Sequence, residues 1–113
     1  TIFPYVHKNP EKFKEPSKMV VGTGKVTFRL YDIQSLKQKR KIITSMTQRL
    51  KNKFNISIAE TGLNDNLAWS EIGFSITGND RQKINSVTDR IIGMLDGSGD
   101  ARMVDTKIEI INY

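Results

Sequence analysis

Cysteine is absent from this 113-residue chain, so it has neither a disulfide nor a thiolate to act as nucleophile or metal ligand. That composition suits the cytoplasm, which is the expected location. Histidine occurs once, at His7 in an N-terminal arm, which removes His-based triads and dyads from consideration. No apolar run approaches the ~20 residues of a membrane helix, and the N-terminus has no apolar signal-peptide core. A membrane partner is therefore not expected. Aromatic residues make up only 8% of the chain, and none stands mid-strand on the outward face of a candidate central strand.

Proline is confined to Pro4, Pro10 and Pro16, inside a stretch that also holds four lysines and two glutamates. Neither a period of 2 nor one of 3.6 runs through it. Residues 1–18 thus read as an extension, with Ile2, Phe3, Tyr5 and Phe13 available to anchor it on an apolar surface. Because the sequence opens on threonine, a cut or truncation somewhere is expected, with Met19 the expected start of a domain spanning 19–113. That length allows one core and no second domain.

From Met19 onward the pattern is regular. Val26, Phe28 and Leu30 alternate with Lys25, Thr27, Arg29 and Tyr31, the signature of a half-buried strand; Gly22 and Gly24 imply a bulge or a close backbone approach. Ser35 with Gln38 forms a capping box, and the helix it opens carries an apolar stripe of Leu36, Ile43, Met46, Leu50 and Phe54. A second strand is expected over 56–60, a loop over 61–68 and a third strand over 71–77, with Ile72, Phe74 and Ile76 inward. Asn79-Asp80 caps a second helix, whose inward residues would be Ile84, Val87, Ile91, Met94 and Leu95. A glycine-rich turn at 97–99 leads to a last strand over 103–111, carrying Val104, Ile108 and Ile110. The order β-α-β-β-α-β gives an α+β, ferredoxin-like sandwich: a four-stranded antiparallel sheet with both helices on one face.

Most conventional sites are empty. Gly22-Thr23-Gly24 is too short for a nucleotide loop, precedes a strand and lacks the phosphate-loop Lys-Ser pair. A metal would have to rely on Glu60, Asp65 and Glu71, residues that read as solvated surface acids; Asp89 and Arg90 read as exposed charges. The open sheet face lacks the rings that RNA-recognition sheets use to stack bases. No spacing brings a nucleophile and a base together, so neither catalysis nor a cofactor is expected.

Several blocks fall in a particular order: Met19-Val20-Val21-Gly22, the run Ser35-Leu36-Lys37-Gln38-Lys39-Arg40, and 54–61 with its Phe-Asn-Ile-Ser-Ile-Ala-Glu-Thr. Trp69 before the third strand and Asn79-Asp80 at the second helix complete the series. From Met19 to about Ile110 the chain resembles the YlxP-like family of small bacterial proteins, a domain of unknown function. The resemblance implies a ferredoxin-like fold in a cytoplasmic protein with no established activity. Its members are often encoded near translation and ribosome-maturation genes, which directs expectation toward RNA. The family pattern has an acid or other polar residue at the position of Gln38, a harmless departure, and it says nothing of residues 1–18.

Charge makes the sharpest functional statement. Between Ser35 and Lys53 stand seven cations and no acid; with these removed from a net charge of +6, the rest of the chain carries −1. Cations near a helix N-terminus oppose the dipole, at ~0.3–1 kcal/mol each, and like charges at i,i+4 add to the cost. An anion bound there reverses both signs. Ser35, Lys37, Lys39, Arg40, Lys41 and Arg49 are accordingly the candidate polyanion-binding residues, with RNA or the ribosome as the expected partner. The plain alternative is a solvated outer face, which suits Lys37, Lys41 and Arg49. Lys39 does not suit it. At 100° per residue from Leu36 it falls at about 300°, inside the apolar stripe, so it either snorkels or reaches a fixed anion or carboxylate. Trp69 is a candidate partner contact, against the simpler role of covering the sheet edge. The competing functional class is a homo-oligomeric or protein-binding module using the open sheet face.

Overall fold

A computed structural model of the protein describes residues 16–99 and 101–113. The anchoring residues expected in the arm, and His7, lie outside these. The elements run β1 (Val20–Leu30), α1 (Leu36–Lys53), β2 (Ser57–Gly62), β3 (Trp69–Gly78), α2 (Arg81–Asp96) and β4 (Ala101–Asn112). The strands form one antiparallel sheet in the order β2-β3-β1-β4, so the two central strands are non-consecutive and each crossover carries a helix. This is the ferredoxin-like α+β arrangement expected from the element order.

Strand parity separates the two faces. Val26, Phe28 and Leu30 of β1 and Ile72 and Phe74 of β3 point to the helices and are buried, together with Ile58 of β2. The helices close over them with Ile43, Met46 and Leu50 from α1 and Ile84, Ile91 and Leu95 from α2. The glycines of β1 lie on this same face and mark a close approach rather than a bulge. A Cβ on Gly24 would enter the Phe74 ring, and one on Gly22 would stand 2.8 Å from Ile84 and 3.2 Å from the Thr88 hydroxyl. Thr88 therefore takes a fully buried position on α2, beside Val87, which packs half-buried against the core as expected. Its hydroxyl is satisfied by donating to the Ile84 carbonyl at 2.8 Å.

The bulge lies elsewhere. Thr27 pairs with Asp105 but Phe28 pairs with Met103, so Val104 is the extra residue of β4 and stands 50% exposed. The resulting switch in parity turns Ala101, which is buried, and Met103 toward the core. β3 also begins earlier than its alternation suggests, at Trp69, because pairing with Arg29 extends the ladder. Both caps form as expected. The Ser35 hydroxyl accepts from the Gln38 amide at 3.1 Å while the Gln38 side chain accepts from the Gln34 amide at 2.8 Å. Asp80 accepts from the amides of Gln82 and Lys83.

Candidate functional site

The cations of α1 divide into one that the fold consumes and six that it leaves in water. Lys37, Arg40, Lys41, Arg49, Lys51 and Lys53 are all exposed. Among the described residues no carboxylate lies within ion-pairing distance of any of them. On the helical wheel Arg40, Lys51, Lys37 and Lys41 occupy one arc of about 100°, with Thr44 and Gln48 between them. From Lys37 to Lys51 this stripe runs ~21 Å along the helix. Lys37, Arg40, Lys41, Thr44 and Gln48 border one shallow trough of about 560 Å³. Arg49 stands apart, on the side facing the turn after α2, where its guanidinium donates to the Ser98 hydroxyl at 3.4 Å.

Lys39 is lost to any ligand. Its side chain is 1% exposed, and its ammonium lies 3.0 Å from the Glu60 carboxylate, itself 13% exposed. The same ammonium donates to three backbone oxygens: Leu63 at 2.6 Å, Asn64 at 3.2 Å and Trp69 at 2.9 Å. The same Glu60 oxygen also accepts from the Ser70 hydroxyl. The expectation that Lys39 binds a polyanion is therefore corrected: its place inside the apolar stripe reflects an internal carboxylate. The Ser35 hydroxyl is likewise committed to capping. With the Ser35 hydroxyl bonded to the Gln38 amide and the Gln38 oxygen to the Gln34 amide, the exposed cations lie along the side of α1 rather than at its capped end.

Trp69 does not cover an edge. It opens a central strand on the open face of the sheet, its amide donating to the Asn66 side chain at 3.0 Å and its carbonyl accepting from Lys39. The guanidinium of Arg29, its cross-strand neighbour, lies 5.5 Å from the Trp69 ring centroid and 5.0 Å from that of Tyr31. Nη1 of Arg29 is anchored on the carbonyls of Leu30 and Ala68. Strand alternation in the sequence puts Arg29 and Tyr31 on the open face but does not join them to Trp69. Their common parity at the ends of adjoining strands was the available signal.

A match to the family described as a protein of unknown function (DUF503) covers residues 21–108, from the first glycine-bearing strand to the last. The chain belongs to the DUF503 family. Over 90 residues this DUF503 domain is 27% identical to the uncharacterized protein YlxP of Bacillus subtilis (strain 168), covering 80% of the present chain and 98% of the relative. Among solved structures, the de novo designed protein Foldit4 superposes with a TM-score of 0.52 at 14% identity, covering 84% of this chain and 98% of the design. That likeness shows the fold alone.

The rest of the surface of this DUF503 domain is of mixed charge. The open sheet face carries a hollow of about 480 Å³ above Gly73, bordered by Lys25, Glu71, Lys107 and Glu109. Lys107 and Glu109, both exposed, pair at 3.7 Å. The three acids considered as metal ligands are not gathered: Glu60 is bound to Lys39, Glu71 accepts from the Thr61 hydroxyl at 2.7 Å, and Asp65 is exposed in the β2–β3 loop. Arg90, read as a plain exposed charge, lies over the Phe54 ring at 5.1 Å. No helix among the described residues is long and apolar enough to cross a membrane.

Proposed function

We propose that this DUF503 protein binds a polyanion, with RNA as the intended class, along the outer side of α1. The observation that carries the reading is the stripe of Lys37, Arg40, Lys41 and Lys51, exposed and without carboxylate partners among the described residues. Folding alone does not favour such an arrangement. Lys37 and Lys41 repel at i,i+4, and the first turn contains no acid to complement the helix dipole. A regularly charged phosphate chain lying along the helix turns each of these terms favourable, and stripes of this kind raise association rates as well. Thr44 and Gln48 add neutral donors between the cations.

The test is fluorescence anisotropy of a labelled RNA over a range of salt. Affinity should fall linearly with log salt. A variant with Lys37, Arg40, Lys41 and Lys51 all changed to Gln should bind more weakly and flatten the slope by about one unit for each phosphate that is no longer neutralised. Equal binding by parent and variant would end the proposal. Lys39 is left out of this set because its removal acts on the fold.

The oligomeric alternative has a different footprint. The open sheet face is hollowed above Gly73 and lined by solvated charges of both signs, which favours water over a second sheet. Sedimentation with and without RNA separates the readings: a salt-resistant dimer indifferent to RNA favours the alternative, whereas a monomer that sediments faster with RNA favours the α1 stripe.

A further inference from the structure

A second hollow, of about 490 Å³, lies where the chain passes from β1 into α1. Tyr31, Asp32, Gln38 and Lys41 line it together with Gly99, and Ile33 and Ile42 supply apolar surface. Lys41 also borders the trough along the outside of α1, so the hollow adjoins the proposed track for phosphates. We propose that this hollow takes a single unpaired base of the bound RNA, stacked on Tyr31, with an adjacent phosphate on Lys41; the inference rests on the α1 reading and specifies its substrate as unpaired rather than duplex RNA.

Tyr31 is 50% exposed, a large aromatic surface left in water directly after a buried strand residue. Its neighbour Arg29 is fixed by carbonyl bonds and lies near its ring, so the ring is supported before any ligand arrives. Preorganised rings are what sequence-tolerant recognition of single strands uses, since every base presents a π-face. The polar groups suit a base edge as well. Gln38 spends its carbonyl oxygen on the Gln34 amide, which leaves its amide nitrogen as a donor. Asp32 supplies an acceptor for an exocyclic amino group. The volume falls within the range of pockets that hold small ligands, and suits one nucleotide rather than a stack. A fully paired duplex keeps its bases stacked inside and could meet α1 only through its backbone.

The experiment uses the full chain with two probes, a short unstructured single-stranded RNA and a fully paired RNA duplex of equal length. Tyr31→Ala should weaken binding of the single strand about tenfold and leave the duplex within about twofold, while Tyr31→Phe keeps the parent affinity for both. No loss on the single strand, an equal loss on both probes, or a Phe variant as weak as the Ala variant would each overturn the inference. The outcome also separates it from the reading beneath it. If the four-Gln variant loses affinity and Tyr31→Ala does not, only the base site falls. A parent that binds neither probe removes both.

Discussion

Replacing Lys39 by glutamine would leave the largely buried Glu60 without its counter-ion and would strip an ammonium donor from three backbone oxygens. Breaking one side of a buried pair costs ~3–5 kcal/mol, because the surviving charge stays desolvated. A chemical denaturation midpoint should register a loss of that size for Lys39→Gln, whereas Lys37→Gln, on the solvent side of the helix, should stay within ~0.5 kcal/mol. Gly24→Ala tests another tight contact: its methyl group would meet the Phe74 ring, and a destabilisation of ~1–3 kcal/mol is expected by the same measurement. At this scale the sequence was partly legible. The angle of Lys39 on the helix showed that it could not be an ordinary surface lysine. Its partner was not visible, because Glu60 lies on another element and its side of the sheet depends on strand register, which no local pattern encodes. Thr88 was missed for a similar reason. Its inward place follows from the room that Gly22 leaves, a fact about a strand distant in sequence.

On the scale of elements, α1 joins two faces in one amphipathic spiral, an apolar stripe toward β2 and a cationic stripe toward water. The cationic stripe adds nothing to folding, so its four-Gln variant should melt at or slightly above the parent temperature while losing affinity for RNA. A thermal melt run beside the binding assay checks this. Should the variant unfold, those cations have structural partners and the functional case weakens. Strand alternation, both caps and the apolar stripe were readable from the sequence because each is a local pattern with a period or fixed spacing. The shift at Val104 was not. An extra residue in an edge strand is set by how β4 must follow the twist of β1, and Val104 has the same composition whether it faces inward or outward. The Arg29, Tyr31 and Trp69 grouping also required the pairing of β1 with β3 before it could be recognised.

For the whole molecule, the distribution of charge matters more than its sum. Both proposed RNA contacts lie along α1 and its entry turn, so a single strand should cross one side of the molecule, touch the sheet only at its Tyr31 end, and leave the centre of the open face in solvent. Hydrogen exchange with and without a single-stranded RNA should show slowed exchange around 31–42 and no change over the centres of β2 and β3; protection of the sheet centre instead would argue for the other face. The topology was legible as a whole because six elements of clear type in this order admit few connected arrangements.

The four oxygens gathered about the Lys39 ammonium, three from the main chain and one from Glu60, resemble the cage around a monovalent ion. A Lys39→Ala chain would keep the cage and lose its occupant. Its melting temperature should then climb more with added n-propylammonium, which replaces the missing Cγ to Nζ, than with equal sodium chloride, since whatever fills the hole binds only the folded form. Differential scanning fluorimetry across an amine titration would show it, and the integrity of the protein would have become an assay for a small dissolved amine.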